Sequence, residues 1–365
     1  MNRDAPSVLL VHEFPGGFGG AERYLELLGD GLTGAGARVT AVIFVDDGDA
    51  ALGLRERLSQ VAPDTRIVAG RSRPGPIRAA VDACDPGVLH WNFVDPFAFR
   101  GATWLLLPWG RPSVITDHLP QLRHAGPHWE MTRRLANRRI RTMIVVGDAA
   151  RRAAEKRWRR PPPLAVVPNG VPMGQGQVRS SPGRGRALRL LFVGRLTDQK
   201  GAAQLVPDLL AMREAGIDAR LRIVGEGPLA AAVRAEIDRA GVGDRVELVG
   251  FSTDPGAEMA NADLLIAPSS YEGLPFTPLE ALSTGLPVVL SDIPPHRELS
   301  AGAGGPGVQL VAGDDRAGWV DAVRLVAADL PAASADALCR ASGHSLEQMI
   351  VRTLDVYRRC QTAGS

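Results

Sequence analysis

Two glutamates in the second half of this chain have the type and spacing of residues that could do chemistry. Glu272 and Glu280 have seven residues between them. The apolar run that ends at Pro268 has the length of a buried parallel strand, and the stretch from Pro278 to Leu282 predicts a helix with a proline in its first turn. In open α/β sheets, ligands bind beyond the carboxyl ends of the strands, so we expect both carboxylates to flank one ligand.

The start of the predicted helix adds a preference for an anion. Backbone N–H groups around Phe276 and Thr277 would point at the same ligand and would suit a phosphate. The alternative is that Glu272 caps a turn and Glu280 is a solvated helix residue, which is the commoner case for an isolated pair of glutamates. Other motifs along the chain favour the ligand site.

These residues resemble a known family. Glu272-Gly273-Leu274-Pro275 with Glu280-Ala281 is similar to the E-x7-E motif of the retaining GT-B glycosyltransferases often called group 1 or family 4. Five further segments resemble the same family: Gly19-Gly20-Ala21-Glu22-Arg23, Asn169-Gly170-Val171, Gly194-Arg195-Leu196 with Lys200-Gly201, Gly225-Glu226-Gly227-Pro228, and the terminal helix. The terminal segment departs from the pattern at His344 and Leu346, where relatives commonly have aromatic residues. The resemblance covers nearly the whole chain.

The resemblance implies a nucleoside-diphosphate sugar as the donor. Cleavage of such a donor builds positive charge on the sugar ring and negative charge on the departing phosphate. Arg195 and Lys200 would grip the diphosphate, which matters because Lys200 is one of only two lysines among 42 basic residues. Glu272 would bind sugar hydroxyls and Glu280 ribose hydroxyls. Further donor contacts are implied at Gly19, Gly20, Gly250, Phe251, Gly273, Leu274, Phe276 and Thr277.

A histidine at a strand end is the candidate on the acceptor side. His118 follows the predicted strand from Ser113 to Thr116, and in the family a histidine at this point lies near the sugar and the acceptor. We therefore expect His118 to hydrogen-bond the sugar and to orient the acceptor. Nearby aromatic and polar residues suit a hydroxyl-rich acceptor, although each could equally pack within a loop: Trp91, Asn92, Asp95, His124 and Trp129.

Composition excludes several classes of protein. The three cysteines are scattered, which gives no basis for a disulfide framework or a zinc site. No Asp-x-Asp is placed for a divalent ion, so we expect no metal and no cofactor beyond the sugar nucleotide. No apolar run approaches the roughly 18 residues that span a bilayer. The expected location is the cytoplasm, and the preference for arginine over lysine suggests a bacterial, high-GC genome.

Charge is distributed unevenly along the chain. The part before residue 188 has 26 basic and 17 acidic residues, whereas the rest has 16 and 23. From Arg133 to Arg160 there are eleven basic and two acidic residues. A solvated helix face is the ordinary interpretation, and peripheral contact with an anionic membrane is the sharper hypothesis. Nucleic acid is not expected, because no aromatic residues are interleaved with the arginines.

Strand-like and helical segments alternate throughout, which predicts an α/β fold. The resemblance implies two Rossmann-like domains (GT-B) that face each other across a cleft. The length of 365 residues suits two such domains. We expect an acceptor domain over residues 1–171, a linker over 172–187 and a nucleotide-sugar domain over 188–340. Residues 341–365 are expected to form a helix that packs back on the first domain.

The resemblance therefore implies a glycosyltransferase, of the hexosyltransferase kind, that moves a sugar from a nucleoside-diphosphate sugar to an acceptor hydroxyl with retention and without a metal. We expect a small soluble natural product or sugar-like acceptor, with a lipid as the alternative. This chemistry serves antibiotic biosynthesis or cell-envelope glycosylation. Two other functions stay open: a nucleotide-sugar 2-epimerase of the same fold, and a donor-binding protein without catalysis.

Overall fold

The computed structural model describes residues 6–14, 19–45, 56, 59–93, 109–119, 137–157, 160–174, 176–181, 185–300 and 305–362. The chain divides into two compact units. The first comprises Met1–Asn169 and Leu346–Ser365, and the second comprises Gly170–Ser345. Each unit is built on one sheet in which all strand pairs are parallel, which confirms the predicted α/β class.

The first unit has a seven-stranded sheet with the strand order β3-β2-β1-β4-β5-β6-β7. The strands are β1 (Ser7–Phe14), β2 (Arg38–Val45), β3 (Asp64–Ala69), β4 (Val88–Phe93), β5 (Ser113–Asp117), β6 (Ile140–Val145) and β7 (Leu164–Val166). Among the described residues of this stretch the helices are α1 (Gly20–Gly34), α2 (Pro74–Cys84) and α3 (Asp148–Arg157). The central strands are near-continuous apolar runs, as expected of a parallel sheet with both faces covered.

The second unit has a six-stranded sheet with the order β10-β9-β8-β11-β12-β13. The strands are β8 (Leu188–Val193), β9 (Ala219–Val224), β10 (Val246–Gly250), β11 (Leu264–Ala267), β12 (Val288–Ser291) and β13 (Val308–Val311). The helices are α4 (Leu205–Glu214), α5 (Ala230–Ala240), α6 (Pro255–Ala260), α7 (Phe276–Ser283), α8 (Pro294–Ser300), α9 (Arg316–Ala328) and α10 (Leu330–Ala341). Short 3-10 turns occur at Ala202–Gln204 and Ser342–His344.

In each sheet the order in which strands are added changes side once, and the candidate sites lie at that point. In the first sheet the chain moves outward from β1 to β3 and then returns to β4 on the other side of β1. In the second sheet β8 and β11 are the corresponding neighbours. Loops that leave such a pair of strands diverge to opposite faces of the sheet, which opens a crevice at the carboxyl ends of the strands.

The terminal helix α11 (Leu346–Thr362) belongs to the first unit. Its apolar side chains recur at helical spacing, so Ile350, Leu354 and Tyr357 form one buried face. Tyr357 carries a polar group into that interior, where its hydroxyl lies 2.5 Å from Nδ1 of His90 on β4. A buried hydroxyl needs such a partner, and here the partner lies on a central strand of the sheet.

The expected linker is held against the second unit over its described residues. Arg179 donates to the carbonyl oxygens of Ala262 (2.5 Å) and Met259 (2.8 Å), and its backbone N–H donates to Ser334 Oγ (2.9 Å). Two of these partners lie at or just beyond the end of α6, where helix carbonyls lack partners within the helix and attract a guanidinium. Arg179 is therefore anchored to the second unit, and the linker over 172–187 stays a prediction.

The arginine-rich segment is not one basic helix. Within its described part, Ile140–Val145 forms β6 and pairs with β5, and only Asp148–Arg157 forms a helix, α3. The apolar residues of β6 are buried in the sheet, which a continuous solvated helix would not allow. On α3, Arg151 is paired with Asp148 (3.1 Å) and Glu155 (2.8 Å). Within the described residues the segment is therefore a buried strand followed by a short helix, and membrane contact through Arg133–Arg160 stays a prediction.

Candidate functional site

Two loops at the carboxyl ends of β8 and β11 are tied together in the second unit. The backbone N–H of Ser270 donates to the carbonyl of Gln199 (2.8 Å), and the Gln199 amide donates to the carbonyl of Tyr271 (3.1 Å). Gly201 permits this contact, because its φ is +68° and a Cβ there would overlap the Pro268 carbonyl. The two predicted motifs are thus brought side by side at the switch point of the sheet.

An ion pair joins those loops. Lys200 Nζ lies 2.6 Å from Glu272 Oε1, and the two side chains are 23% and 7% exposed. Seventy-two positions of sequence separate them, so only the sheet order brings them together. A cation and a carboxylate that are both largely withdrawn from water interact more strongly than a surface pair, and each constrains the position of the other.

Other predicted donor residues lie around this pair without being locked to it. Arg195 is exposed, and within the described residues its side chain has no hydrogen-bond or ion-pair partner. Phe251 is also exposed (51%), beyond the end of β10. Gly250 has a φ of +84°, and its carbonyl accepts from the backbone N–H of Gly225 (2.7 Å).

The beginning of α7 follows directly from the Glu272 loop. No side chain caps this helix, whose N-cap is the extended Pro275. Phe276 packs its ring into the core (6% exposed), and Thr277 is half-buried. Helix N-terminal N–H groups without a cap favour an anion, and they are the groups expected from the sequence. Glu280 lies further along the same helix and is half-buried.

A buried histidine stands behind the pair. His296, on α8, is fully buried, and its Nδ1 lies 2.8 Å from the backbone carbonyl of Ser291. Its Nε2 is buried and has no hydrogen-bond partner among the described residues. Burial lowers the pKa of His296, the charges of Glu272 and Lys200 act on it in opposite directions, and the imidazole is neutral at pH 7. The sequence analysis did not single this residue out.

In the first unit a second set of polar residues lies at the N-terminal end of α1. Glu22 is buried, and its Oε2 accepts from the backbone N–H of Gly19 (2.9 Å), which caps α1. Its other oxygen lies 3.2 Å from Nε2 of His12. His12 is fully buried, and its Nδ1 lies 2.7 Å from the backbone carbonyl of Asn92.

His118 lies beside this set. Its Nε2 is 2.5 Å from Oδ1 of Asn92, and its ring packs edge-on against Tyr24 with 4.7 Å between centroids. Burial lowers the pKa of His118 to about 3, with smaller contributions from His12 and His90, so the ring is neutral at pH 7. His118 is thus at the strand end where the sequence placed it.

A neighbouring polar chain is structural. His90 donates to or accepts from Tyr357 on one side (2.5 Å) and Thr116 Oγ1 on the other (2.7 Å), and Thr116 also contacts the Tyr24 hydroxyl (3.3 Å). All four residues are fully buried. Burial lowers the pKa of His90 to about 3 and raises that of Tyr24 to about 12. None of the four has a side chain exposed for a ligand.

Two of the predicted acceptor residues need correction. Trp91 is fully buried, its Nε1 donates to Ser113 Oγ (3.2 Å), and its ring packs against Trp109. Asn92 is also fully buried, with its amide engaged by His118 and by the Ala21 carbonyl (3.0 Å). Neighbouring residues in a strand point to opposite faces of the sheet, so the two were never able to line one surface. The other three, Asp95, His124 and Trp129, lie outside the described residues.

Sequence reasoning missed His12, Glu22 and His296 as members of these sites. A usable signal existed for the first of them. His12, Asn92 and His118 each stand at or just beyond the end of a predicted strand, and β1, β4 and β5 are neighbours in the sheet. For His296 no sequence signal existed, because α8 gives no indication of what lies against it.

Two family models match the chain. One, described as glycosyl transferases group 1, matches residues 187–329, and the other, described as glycosyltransferase family 4, matches residues 18–175. Together they take in the strand-end loops of both units.

Curated relatives match parts of the chain. A lipopolysaccharide core biosynthesis mannosyltransferase from Rhizobium meliloti is 34% identical over 157 residues, which are 41% of this chain and 45% of that protein. A 2-deoxystreptamine glucosyltransferase from Streptomyces kanamyceticus is 35% identical over 99 residues, 27% of this chain and 26% of that protein. The chain thus spans less than half the length of these relatives.

A solved structure matches nearly the whole chain. The Anabaena protein HepE, crystallised with UDP-glucose, superposes with a TM-score of 0.77 at 21% identity, covering 96% of this chain and 99% of that one. This similarity shows the fold and confirms the predicted GT-B class. Among the described residues no helix is both long and apolar enough to cross a membrane.

Proposed function

Because the chain belongs to the group 1 and family 4 glycosyltransferases, we propose that it transfers a sugar from a nucleoside-diphosphate sugar to a hydroxyl of an acceptor. Retention of the anomeric configuration and independence of a metal ion are parts of the same proposal. The observation that carries it is the Lys200–Glu272 ion pair, which sets a cation beside a carboxylate at the switch point of the second sheet.

The cations bind the diphosphate of the donor. Lys200 and the exposed Arg195 supply positive charge, and the uncapped start of α7 supplies backbone N–H groups around Phe276 and Thr277. Together they stabilise the negative charge that develops as the sugar–phosphate bond breaks, which is the usual largest source of catalysis. These groups deliver that charge without a metal ion.

The carboxylates accept hydrogen bonds from the two sugars of the donor. When a diphosphate draws Lys200 toward it, the oxygens of Glu272 become acceptors for hydroxyls of the transferred sugar. Glu280, one turn into α7, accepts from the ribose hydroxyls, and the exposed ring of Phe251 borders the nucleobase. Gly250, Gly273 and Leu274 in the second unit, and Gly19 and Gly20 in the first, let the donor approach the backbone.

His118 orients a hydroxyl and does not remove its proton. A neutral imidazole whose pKa is lowered to about 3 is too weak a base to ionise an alcohol at pH 7. It is a good hydrogen-bond acceptor, provided that the nitrogen facing the ligand carries the lone pair. The departing diphosphate then takes the proton of the acceptor hydroxyl, on the same face from which that hydroxyl attacks, which gives retention.

For the acceptor we propose a small soluble natural product or sugar-like molecule, with a lipid as the second possibility. The names of the two curated relatives point to both kinds of acceptor. A lipid acceptor would bring the chain to anionic headgroups, and the exposed Arg152 and Lys156 on α3 are among the cations of the Arg133–Arg160 segment that could contact them.

The test begins with a thermal-shift screen of UDP-, GDP-, ADP- and dTDP-sugars, because a ligand that binds only the folded chain stabilises it by mass action. The stabilising donor is then incubated with aminoglycoside, flavonoid and lipid acceptors, with and without EDTA. We expect a glycosylated product with the donor's anomeric configuration that forms equally well in EDTA. Conversion of the donor to its C2 epimer without an acceptor would show an epimerase instead, and binding without either product would show a binding protein.

A further inference from the structure

A continuous set of hydrogen bonds connects Gly19, the N-cap of α1, to His118. It runs from the backbone N–H of Gly19 to Glu22, from Glu22 to His12, from His12 to Asn92, and from Asn92 to His118. The four side chains are 0% to 7% exposed. Buried polar groups of this kind are costly unless all of them are satisfied, so the arrangement of their hydrogens is strongly constrained.

The orientation of the Asn92 amide follows from one contact. Its Nδ2 lies 3.0 Å from the backbone carbonyl of Ala21, which can only accept a hydrogen bond. The reverse orientation would set two oxygens against each other in a buried place. Oδ1 of Asn92 therefore faces His118, and because this oxygen can only accept, Nε2 of His118 must carry a hydrogen.

The tautomer of His118 is thereby fixed. With the hydrogen on Nε2 and a neutral ring, Nδ1 carries the lone pair, and among the described residues it has no hydrogen-bond partner. A hydroxyl can donate to that nitrogen, whereas a phosphate oxygen cannot. His118 is thus set to accept from an alcohol.

The position of Asn92 is held in turn by His12 and Glu22. His12 Nδ1 faces the backbone carbonyl of Asn92, which can only accept, so that nitrogen carries a hydrogen. Its Nε2 faces a carboxylate oxygen of Glu22, so one of these two atoms carries a hydrogen toward the other. The second oxygen of Glu22 is held by the Gly19 N–H, at the turn that opens α1. Each member therefore has a partner on both sides.

We propose that Glu22, His12 and Asn92 form a positioning relay that holds His118 as the Nε2–H tautomer and links its orientation to Gly19, the N-cap of α1. The relay rests on the proposed function only for the identity of the ligand that His118 meets. Asn92 and His12 are positioning residues, since both are fully buried and reach a ligand only through His118 or the turn.

The first measurement needs no activity. The full chain is labelled with ¹⁵N-histidine, and the protonation of each imidazole nitrogen is read by long-range ¹H–¹⁵N NMR, with His118→Gln used to assign the signals of the seven histidines. We expect His118 as a single Nε2–H tautomer. Asn92→Ala should give a mixture of tautomers. A single unchanged tautomer in Asn92→Ala would overturn the relay.

Two further variants separate charge from geometry. Glu22→Gln can accept from Gly19 and donate to His12, so it should keep the tautomer, whereas Glu22→Ala should lose it. Ser72→Ala is the matched control, because Ser72 donates to the buried Glu13 (2.5 Å), the residue next to His12, and does not touch the relay. It should lower stability and leave the His118 signals as they are. If Ser72→Ala also lost the single tautomer, general destabilisation would explain the change in the relay variants, and the relay would be overturned.

The second measurement uses the sugar nucleotide that stabilises the chain most. Asn92→Ala should lower kcat about 10- to 100-fold, the range seen for the partners that orient metal-binding histidines, while the KM for the donor changes little. Glu22→Gln should restore most of the loss seen in Glu22→Ala. A wild-type chain without transfer would refute the proposed function and leave the NMR test standing. A loss of kcat in Asn92→Ala no larger than in Ser72→Ala would refute the relay.

Discussion

Removal of Lys200 should have two effects that can be measured separately. The first is on catalysis: a preorganised partner of a developing anion is worth about 2–4 kcal/mol, which is about 30- to 900-fold in kcat/KM. The second is on stability, because Lys200→Ala leaves the 7% exposed Glu272 side chain without this partner. Loss of one member of a largely buried charge pair costs about 1–3 kcal/mol.

Arg195→Ala is the matched control for this prediction. Arg195 is exposed and has no partner among the described residues, so its removal should lower kcat/KM by a similar factor and leave the melting temperature unchanged. In the Lys200→Ala background, Glu272→Gln should recover stability without recovering activity. Lys200→Arg should rescue only in part, because a planar fork and a compact ammonium fill the site differently.

The assays are initial rates of transfer with the identified donor and thermal unfolding of each variant. A Lys200→Ala chain with nearly wild-type kcat/KM would refute the assignment of Lys200 to the diphosphate. Strict dependence of the wild-type chain on added magnesium would refute the idea that these cations take the place of a metal. Equal loss of stability in Lys200→Ala and Arg195→Ala would show that the ion pair with Glu272 contributes nothing.

Three more predictions concern the two glutamates, His90 and Gly225. Glu272→Gln should lower kcat more than nucleoside diphosphate affinity, whereas Glu280→Ala should mainly weaken the nucleotide in titration calorimetry, and equal effects of both on affinity would contradict this division. The pKa of His90 falls from 6.5 to about 3 on folding, so its contribution to stability is complete above pH 6.5 and is lost as pH falls toward 3. His90→Gln should therefore flatten the pH dependence of the unfolding free energy by about 1.4 kcal/mol per pH unit in urea titrations between these values, and an unchanged slope would show that His90 titrates normally. Gly225→Ala should destabilise by about 1–3 kcal/mol in thermal melts, because its φ is +142° and a Cβ would strike the Gly194 carbonyl, whereas Gly243→Ala, with open space around it, should not.

The strands and their order of appearance could be predicted from the sequence because they depend on local patterns. Apolar runs bounded by glycine and proline gave β2 and β8 with their observed limits, Arg38–Val45 and Leu188–Val193. The segment from Leu164 to Val171, whose pattern predicts a strand followed by a turn, forms β7 over Leu164–Val166, and Pro168 beyond it has no N–H to continue a ladder.

The sequence by itself determined which loops are the candidates for chemistry, since the loops with Lys200, Glu272 and His118 are local signals at predicted strand ends. Only the tertiary structure decided what those residues touch. The partnership of Lys200 with Glu272 depends on β8 and β11 being neighbours, which no window of sequence contains. The same holds for Asn92, which local reasoning set beside an acceptor and the sheet instead buries against His118. Hydrogen-bond partners are fixed by which strands adjoin, and that choice is made by the packing of the whole unit.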